Sequence, residues 1–281
     1  MKHKIWFITG CSTGFGRALA VQLLEQGYKV AVAARKIKDI QDILDQHKNA
    51  LGLELDMTKP QLLKEAVDKA LKAFSRIDVL VNNAGIGYFG ALEESEEQEV
   101  RYMFEVNFFG LAHLTRLVLP YMRKQKSGHI INISSIGGLV GFPALSFYNA
   151  TKFAVAGLSE ALAKETAPLG IKVSIVCPSG FRTDWAGRSA NESKNRIEDY
   201  SATAGANKMN IRGYSGKQPG DPQRAAKAII KIAETPAPPL YLLLGEAAYN
   251  TAQRKIEDLK NNFDTWKETS VHADFPKNTA N

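Results

Sequence analysis

Cysteine is scarce: Cys11 and Cys177 are the only two in 281 residues. They lie far apart without ligand-type spacing, which excludes both a disulfide framework and a zinc cluster. Long apolar runs are also missing, and none approaches the ~18 residues a membrane-spanning helix needs. The basic start, Met1-Lys2-His3-Lys4, precedes too short an apolar stretch for a signal peptide. These absences point to a cytoplasmic protein, where the Asn-x-Ser/Thr matches at Asn132, Asn149 and Asn191 never meet the glycosylation machinery. Blocks of like charge are absent too. The net charge of +7 is spread along the chain, so no nucleic-acid footprint is expected, only a mild preference for anionic ligands.

What is present is an ordinary globular balance, 44% hydrophobic and 23% charged, enough for a real core. Short β-branched runs alternate with amphipathic stretches, the pattern of βαβ units and a parallel sheet. Strands are expected at 5–8, 30–34, 51–55, 78–81, 129–133, 172–176 and 240–244. Helices are expected at about 17–26, 58–74, 95–124, 147–167 and 221–234. Thr58-x-x-Gln61 and Ser95-Glu96-Glu97-Gln98 read as capping boxes, and the third helix is expected to bend near Pro120. A Ser/Asn/Gly-rich stretch at 182–219 lacks periodicity and suggests a mobile substrate lid. The chain reads as one domain over 1–265 with a polar, loose tail at 266–281.

Between the first strand and first helix stands Thr9-Gly10-Cys11-Ser12-Thr13-Gly14-Phe15-Gly16. Such glycines let the backbone turn sharply and let a diphosphate approach a helix N-terminus. The same residues spell G-x-S-x-G around Ser12, the nucleophile elbow of serine hydrolases. Against that reading, only nine residues precede the motif, and none of the five histidines has an obvious base context.

Three more clusters fall at strand ends or helix starts: Asn82-Asn83-Ala84-Gly85, Ser134-Ser135, and Tyr148-Asn149-Ala150-Thr151-Lys152. With the glycine loop, in this order and spacing, they resemble the short-chain dehydrogenase/reductase family, in its branch with a core of about 250 residues. The resemblance covers residues 4–245. It implies an α/β fold: a single-domain, Rossmann-type, doubly wound parallel sheet with helices on both faces.

Tyr148 and Lys152 stand at i and i+4 and so share a helical face. A free phenol is a sluggish base at neutral pH. A neighbouring ammonium is expected to favour the phenolate and draw its pKa toward the working range. Tyr148 would then pass a proton to or from the reacting oxygen, and Ser135 would hydrogen-bond that oxygen in the transition state. The thirteen-residue spacing to Tyr148 favours Ser135 over Ser134. By resemblance, Lys152 also holds the nicotinamide ribose, and Asn107 supports a water linking Lys152 to solvent.

The resemblance further implies a dinucleotide held by Gly10, Ser12, Thr13, Gly14, Phe15, Gly16, Asp56, Asn83, Ala84, Gly85, Tyr148, Lys152, Pro178, Gly180 and Thr183. Where NAD-preferring members carry an acid after the second strand, this chain has Arg35, a bidentate partner for a 2′-phosphate. The cofactor expected is therefore NADP(H). Phe142, Leu145 and Trp185, with Ser135 and Tyr148, would build an apolar substrate wall like that of hydroxysteroid dehydrogenases. The expectation is an oxidoreductase of small carbonyl or alcohol compounds, forming a homodimer or homotetramer by family habit. A catalytically silent NADP(H) sensor or scaffold is the alternative, and a hydrolase using Ser12 a remote one.

Overall fold

Ile5–Ile8 are buried on both sides, which is what a central strand of a parallel sheet requires. In the computed structural model, which describes residues 4–187 and 189–275, this run is β1 (Ile5–Ile8). It is followed by α1 (Gly14–Glu25), β2 (Lys29–Ala34), α2 (Gln41–Gln46), β3 (Ala50–Glu54), α3 (Pro60–Phe74), β4 (Val79–Asn82) and β5 (Gly87–Phe89). Then come α4 (Glu97–Phe104), α5 (Gly110–Gln125), β6 (Gly128–Ile133), α6 (Ser146–Thr166), β7 (Ile171–Pro178) and β8 (Ala190–Glu192). The chain continues through α7 (Ala206–Gly213), α8 (Pro222–Glu234), β9 (Tyr241–Leu244), α9 (Glu246–Thr265) and α10 (Lys267–Val271). Residue 188 of the expected lid and residues 276–281 of the expected tail lie outside the described residues, as do 1–3.

Seven strands pair in the order β3-β2-β1-β4-β6-β7-β9, all in parallel. Alternate side chains feed two layers. Trp6, Ile8, Val30 and Val32 pack with Leu19 and Leu23 of α1 and Ile229 of α8. Phe7, Ala31 and Leu80 pack with Leu63 of α3, Leu114 and Val118 of α5 and Leu162 of α6. The strand order reverses between β1 and β4, and a crevice opens there at the carboxyl ends of the strands.

Several local expectations are corrected. Neither capping box forms. Asp56 draws the Thr58 hydroxyl into a 2.8 Å bond, so α3 starts after Lys59 without a side-chain cap. Ser95 instead donates to the Ala91 carbonyl at 2.8 Å, and α4 begins after Glu96. The long helix is interrupted by a π-helical turn over Glu105–Phe109, and Pro120 lies inside α5. The expected lid carries regular structure: β8 pairs in parallel with β5, and α7 supplies Arg212. That guanidinium donates to the carbonyls of Ala186 and Ala190 at 3.0 and 2.7 Å and lies 4.8 Å from the Phe89 ring. Helix α9 was not expected, and with α10 it carries the chain well into the tail read as loose.

Candidate active site

A cavity of about 890 Å³ runs along the switch point. At one end lie Gly10, Ser12, Thr13, Gly14 and Phe15, with Arg35 and Asp56 beside them. Gly10 has φ +70°, and a Cβ there would sit 2.9 Å from Ala84 Cα, so the loop and the β4 segment touch only because glycine is present. Gly16 does not line the cavity. It is buried where a Cβ would run into the Gly10 carbonyl and the Asn83 amide, which lets α1 pack close to the loop. Thr13 precedes α1 without capping it by its side chain, so the first-turn N–H groups keep their capacity for an anion.

Asn83 clamps that loop. Its amide donates to the carbonyls of Thr9 and Gly10 at 2.8 and 3.0 Å. The Thr9 hydroxyl in turn accepts from the backbone N–H groups of Asn83 and Ala84, both at 2.9 Å. Thr9 is thus a structural member of the site that the sequence reading passes over, although it opens the glycine motif. Arg35 is exposed at the end of β2, and among the described residues its guanidinium is held by no ion pair or hydrogen bond. Asp56 spends one carboxylate oxygen on the Thr58 N–H and hydroxyl.

At the other end of the cavity stand Ser134, Ser135, Tyr148 and Lys152. The adjacent serines differ in what they touch. Ser134 is buried and donates to the Lys152 carbonyl at 3.0 Å. The half-buried Ser135 accepts from Gly137 N–H at 3.0 Å, and its hydroxyl acts to lower the Tyr148 pKa. Lys152 is buried on the turn of α6 after Tyr148, donates to the Ile133 carbonyl at 2.9 Å, and lies 5.7 Å from the Tyr148 ring centroid.

The electrostatics differ from the expected depression of the phenol. Burial pushes Tyr148 up to about 12, against a smaller lowering by the Ser135 hydrogen bond. Burial likewise pulls Lys152 down to about 8. Desolvation disfavours both charged forms, and it prevails over the Ser135 hydroxyl at the phenol and over the Cys177 thiol at the ammonium. In this state the phenol holds its proton.

Asn107 sits in the π-helical turn and does not line the cavity. Its Oδ1 accepts from Ile86 N–H at 2.8 Å, and its Nδ2 donates to the Ile86 carbonyl at 2.9 Å and the Thr151 hydroxyl at 3.2 Å. It therefore ties the segment after β4 to α6. The remaining wall comprises Phe142, Leu145, Pro178, Gly180, Thr183 and Trp185, together with Ile211 and Gln218 from the lid. Trp185 lies 4.8 Å from the Tyr148 ring and 5.6 Å from Phe89, an aromatic lining close over the phenol. Among the described residues no histidine lines the cavity, so none stands beside Ser12 for hydrolase chemistry.

Residues 4–194 match the family model described as short chain dehydrogenase. "Oxidoreductase BOA17" of Botryotinia fuckeliana is 38% identical over 95% of this chain and 98% of its own length. A "3-ketodihydrosphingosine reductase" of Bacteroides thetaiotaomicron is 40% identical over 87% and 89%. Among solved structures, a short-chain dehydrogenase from Streptomyces avermitilis superposes with a TM-score of 0.91 at 38% identity, covering 98% of this chain and 100% of that one. One from Burkholderia phymatum, in complex with NAD, gives 0.81 at 28% identity over 92% and 95%. ElxO with NADP bound gives 0.71 at 29% over 86% and 96%.

Proposed function

The chain belongs to the short-chain dehydrogenase/reductase family, and from that premise we propose that it is an NADP(H)-dependent oxidoreductase interconverting apolar carbonyl compounds and their secondary alcohols, with Tyr148 as the acid–base. One observation carries the reading: Ser135, Tyr148 and Lys152 line the same cavity as a glycine loop and an arginine that no other described residue pairs. The relatives include proteins with NAD and with NADP bound, so the preference rests on Arg35. Its exposed guanidinium, engaged by no acid among the described residues, suits a 2′-phosphate, while Asp56 keeps one oxygen available for an adenine amino group.

The cradle fits a dinucleotide diphosphate, since the Gly10–Ala84 approach leaves bare backbone beside the uncapped first turn of α1. A nicotinamide bound there would supply the hydride. Tyr148 donates the proton to the carbonyl oxygen, a role suited to a phenol that burial keeps protonated. Ser135 hydrogen-bonds the same oxygen as its charge develops. Lys152, drawn to about 8, is poised to exchange a proton near neutrality, and Thr183 and Pro178 would border the carboxamide. Phe142, Leu145 and Trp185 exclude water and favour an apolar substrate. The Bacteroides relative is, by its name, a reductase of a 3-keto compound, which fits this direction. Two buried free cysteines suit a reducing compartment, and we place the protein in the cytoplasm.

The test is NADPH consumption followed by absorbance against apolar ketones, aldehydes and small-chain carbonyls. Tyr148→Phe should abolish turnover while NADPH binding persists. Unchanged turnover in that variant would remove Tyr148 from the chemistry.

A further inference from the structure

Helix α9 leaves the body after its first turns. Ala248 and Ala252 are buried against Ile136, beside Leu139, Val140 and Phe142, and every described residue from 256 onward is exposed. That projecting part is not polar all round. Tyr249, Ala252, Ile256, Leu259, Phe263 and Trp266 recur at alternating intervals of three and four, so they form one continuous stripe. Ile256, Phe263 and Trp266 stand 61%, 63% and 59% exposed, a cost in water that an isolated surface helix has no reason to carry.

The charges around the stripe select its occupant. At 100° per residue, Lys255 and Lys260 border it on either side, with Gln253 and Asn262 as the other flanking residues. The acids Glu257, Asp258, Asp264 and Glu268 lie around the far side, where Asp264 engages the Lys260 ammonium from one turn away. Pairing α9 in parallel with its copy as a coiled coil would set Lys255 against Lys260 along both seams. An anionic bilayer accepts both features, the rings and aliphatic chains among acyl tails and the lysines at the phosphate level. The chain's net charge of +7 acts in the same direction, while the five acids of residues 256–275 outnumber the two lysines there and must face water. Among the described residues no helix is long and apolar enough to cross a membrane, so such contact lies in the interface plane.

We propose that the α9 stripe seats the protein on an anionic lipid surface. The base of α9 packs on the 136–142 segment, and Phe142 of that segment lines the cavity. Docking therefore holds one wall of the pocket near the bilayer. This assignment does not depend on which cofactor or carbonyl the site takes.

The full chain is pelleted with vesicles of phosphatidylcholine alone or mixed with phosphatidylglycerol. Binding is expected to the mixed vesicles and to weaken in high salt. The Ile256→Ser/Phe263→Ser/Trp266→Ser variant should partition ~10-fold or more weakly, with NADPH-dependent turnover of a water-soluble ketone and thermal midpoint unchanged. Trp266→Phe should still pellet but lose a vesicle-induced blue shift of tryptophan emission. Absence of pelleting with phosphatidylglycerol vesicles, or equal pelleting of the triple variant, overturns the proposal. So does a wild-type dimer that the triple substitution turns into a monomer without any vesicle binding, since a second copy then covers the stripe.

Discussion

Ser134 and Ser135 are chemically identical neighbours held in different surroundings, one donating to the Lys152 carbonyl and the other facing Tyr148 in the cavity. Ser135→Ala is expected to lower kcat by ~10²–10³ with little change in thermal midpoint. Ser134→Ala should instead cost about 1 kcal/mol of stability, and paired kinetics and melting curves separate the two. Lys152 adds a pH signature. Its pKa lies near 8 in the fold against 10.5 when free, so the folded state is penalised while the ammonium must be carried buried. Lys152→Met should lose turnover yet melt no lower than the wild type at pH 7. As pH rises from 8 toward 10.5 the wild type sheds that penalty, and the gap between the melting curves should close. At this scale the sequence was most readable: of the residues it nominates, Gly16 and Asn107 alone stand off the cavity wall. The protonated state of Tyr148 was not readable, because spacing reports which groups are neighbours and not how dry their surroundings are.

The elements show a similar division. The seven strands of the main sheet were legible to within a residue or two, since a buried parallel strand is a short apolar run bounded by turn residues, whereas the three-residue β5 and β8 were not. The π-helical turn at 105–109 was not either, because Val106, Asn107, Phe108 and Phe109 are weak helix formers that ordinary α-helices also tolerate, and the turn is held by Asn107 bonding across to Ile86. Nor was the order within the lid, whose three-residue strand gains its stability from β5 and from contacts distant in sequence. Glu94 is one such contact. Burial opposes its ionisation, but N–H donors from Ile197 and Ala91 prevail and hold its carboxyl below the usual range. The stabilisation is therefore complete above the ordinary carboxylate pKa and is lost as pH falls through the depressed one. Limited proteolysis of the lid should accelerate in that acid window, and Glu94→Gln should bring the same sensitivity to neutral pH. A variant as resistant as the wild type would show that the lid does not hang on this carboxylate.

For the molecule as a whole, the site lies where the strand order reverses, so a bound dinucleotide spans both halves of the sheet. A ligand present at a hundredfold its Kd stabilises the folded chain by ~2.7 kcal/mol, a rise in Tm on the order of 5 °C at this size. NADPH should produce that rise at a lower concentration than NADH. Arg35→Asp should reverse the order, and equal losses for both nucleotides would discard the phosphate contact. The α/β class and its parallel sheet follow from alternation of pattern along the chain, whereas α9 opens after Gly245 without a side-chain cap, so no start signal marks it.

Beneath the cavity, Asn82 of β4 donates to Asn132 of β6 at 2.8 Å and to Thr115 at 3.1 Å, and Asn132 donates to Ser159 of α6 at 2.8 Å. Asn82 and Asn132 are also register partners. A slip of one residue between these strands would turn each amide to the opposite face of the sheet, into aliphatic packing where no donor or acceptor waits. The polar rungs thus act as a notch that fixes the relative height of two strands, and with it the depth at which Ser135 emerges two peptide units beyond Ile133. Redesign of the pocket rim can vary loops freely while these rungs stay. Replacing both amides with leucine would remove the notch, and the first casualty should be the placement of the hydroxyl above it rather than the sheet itself.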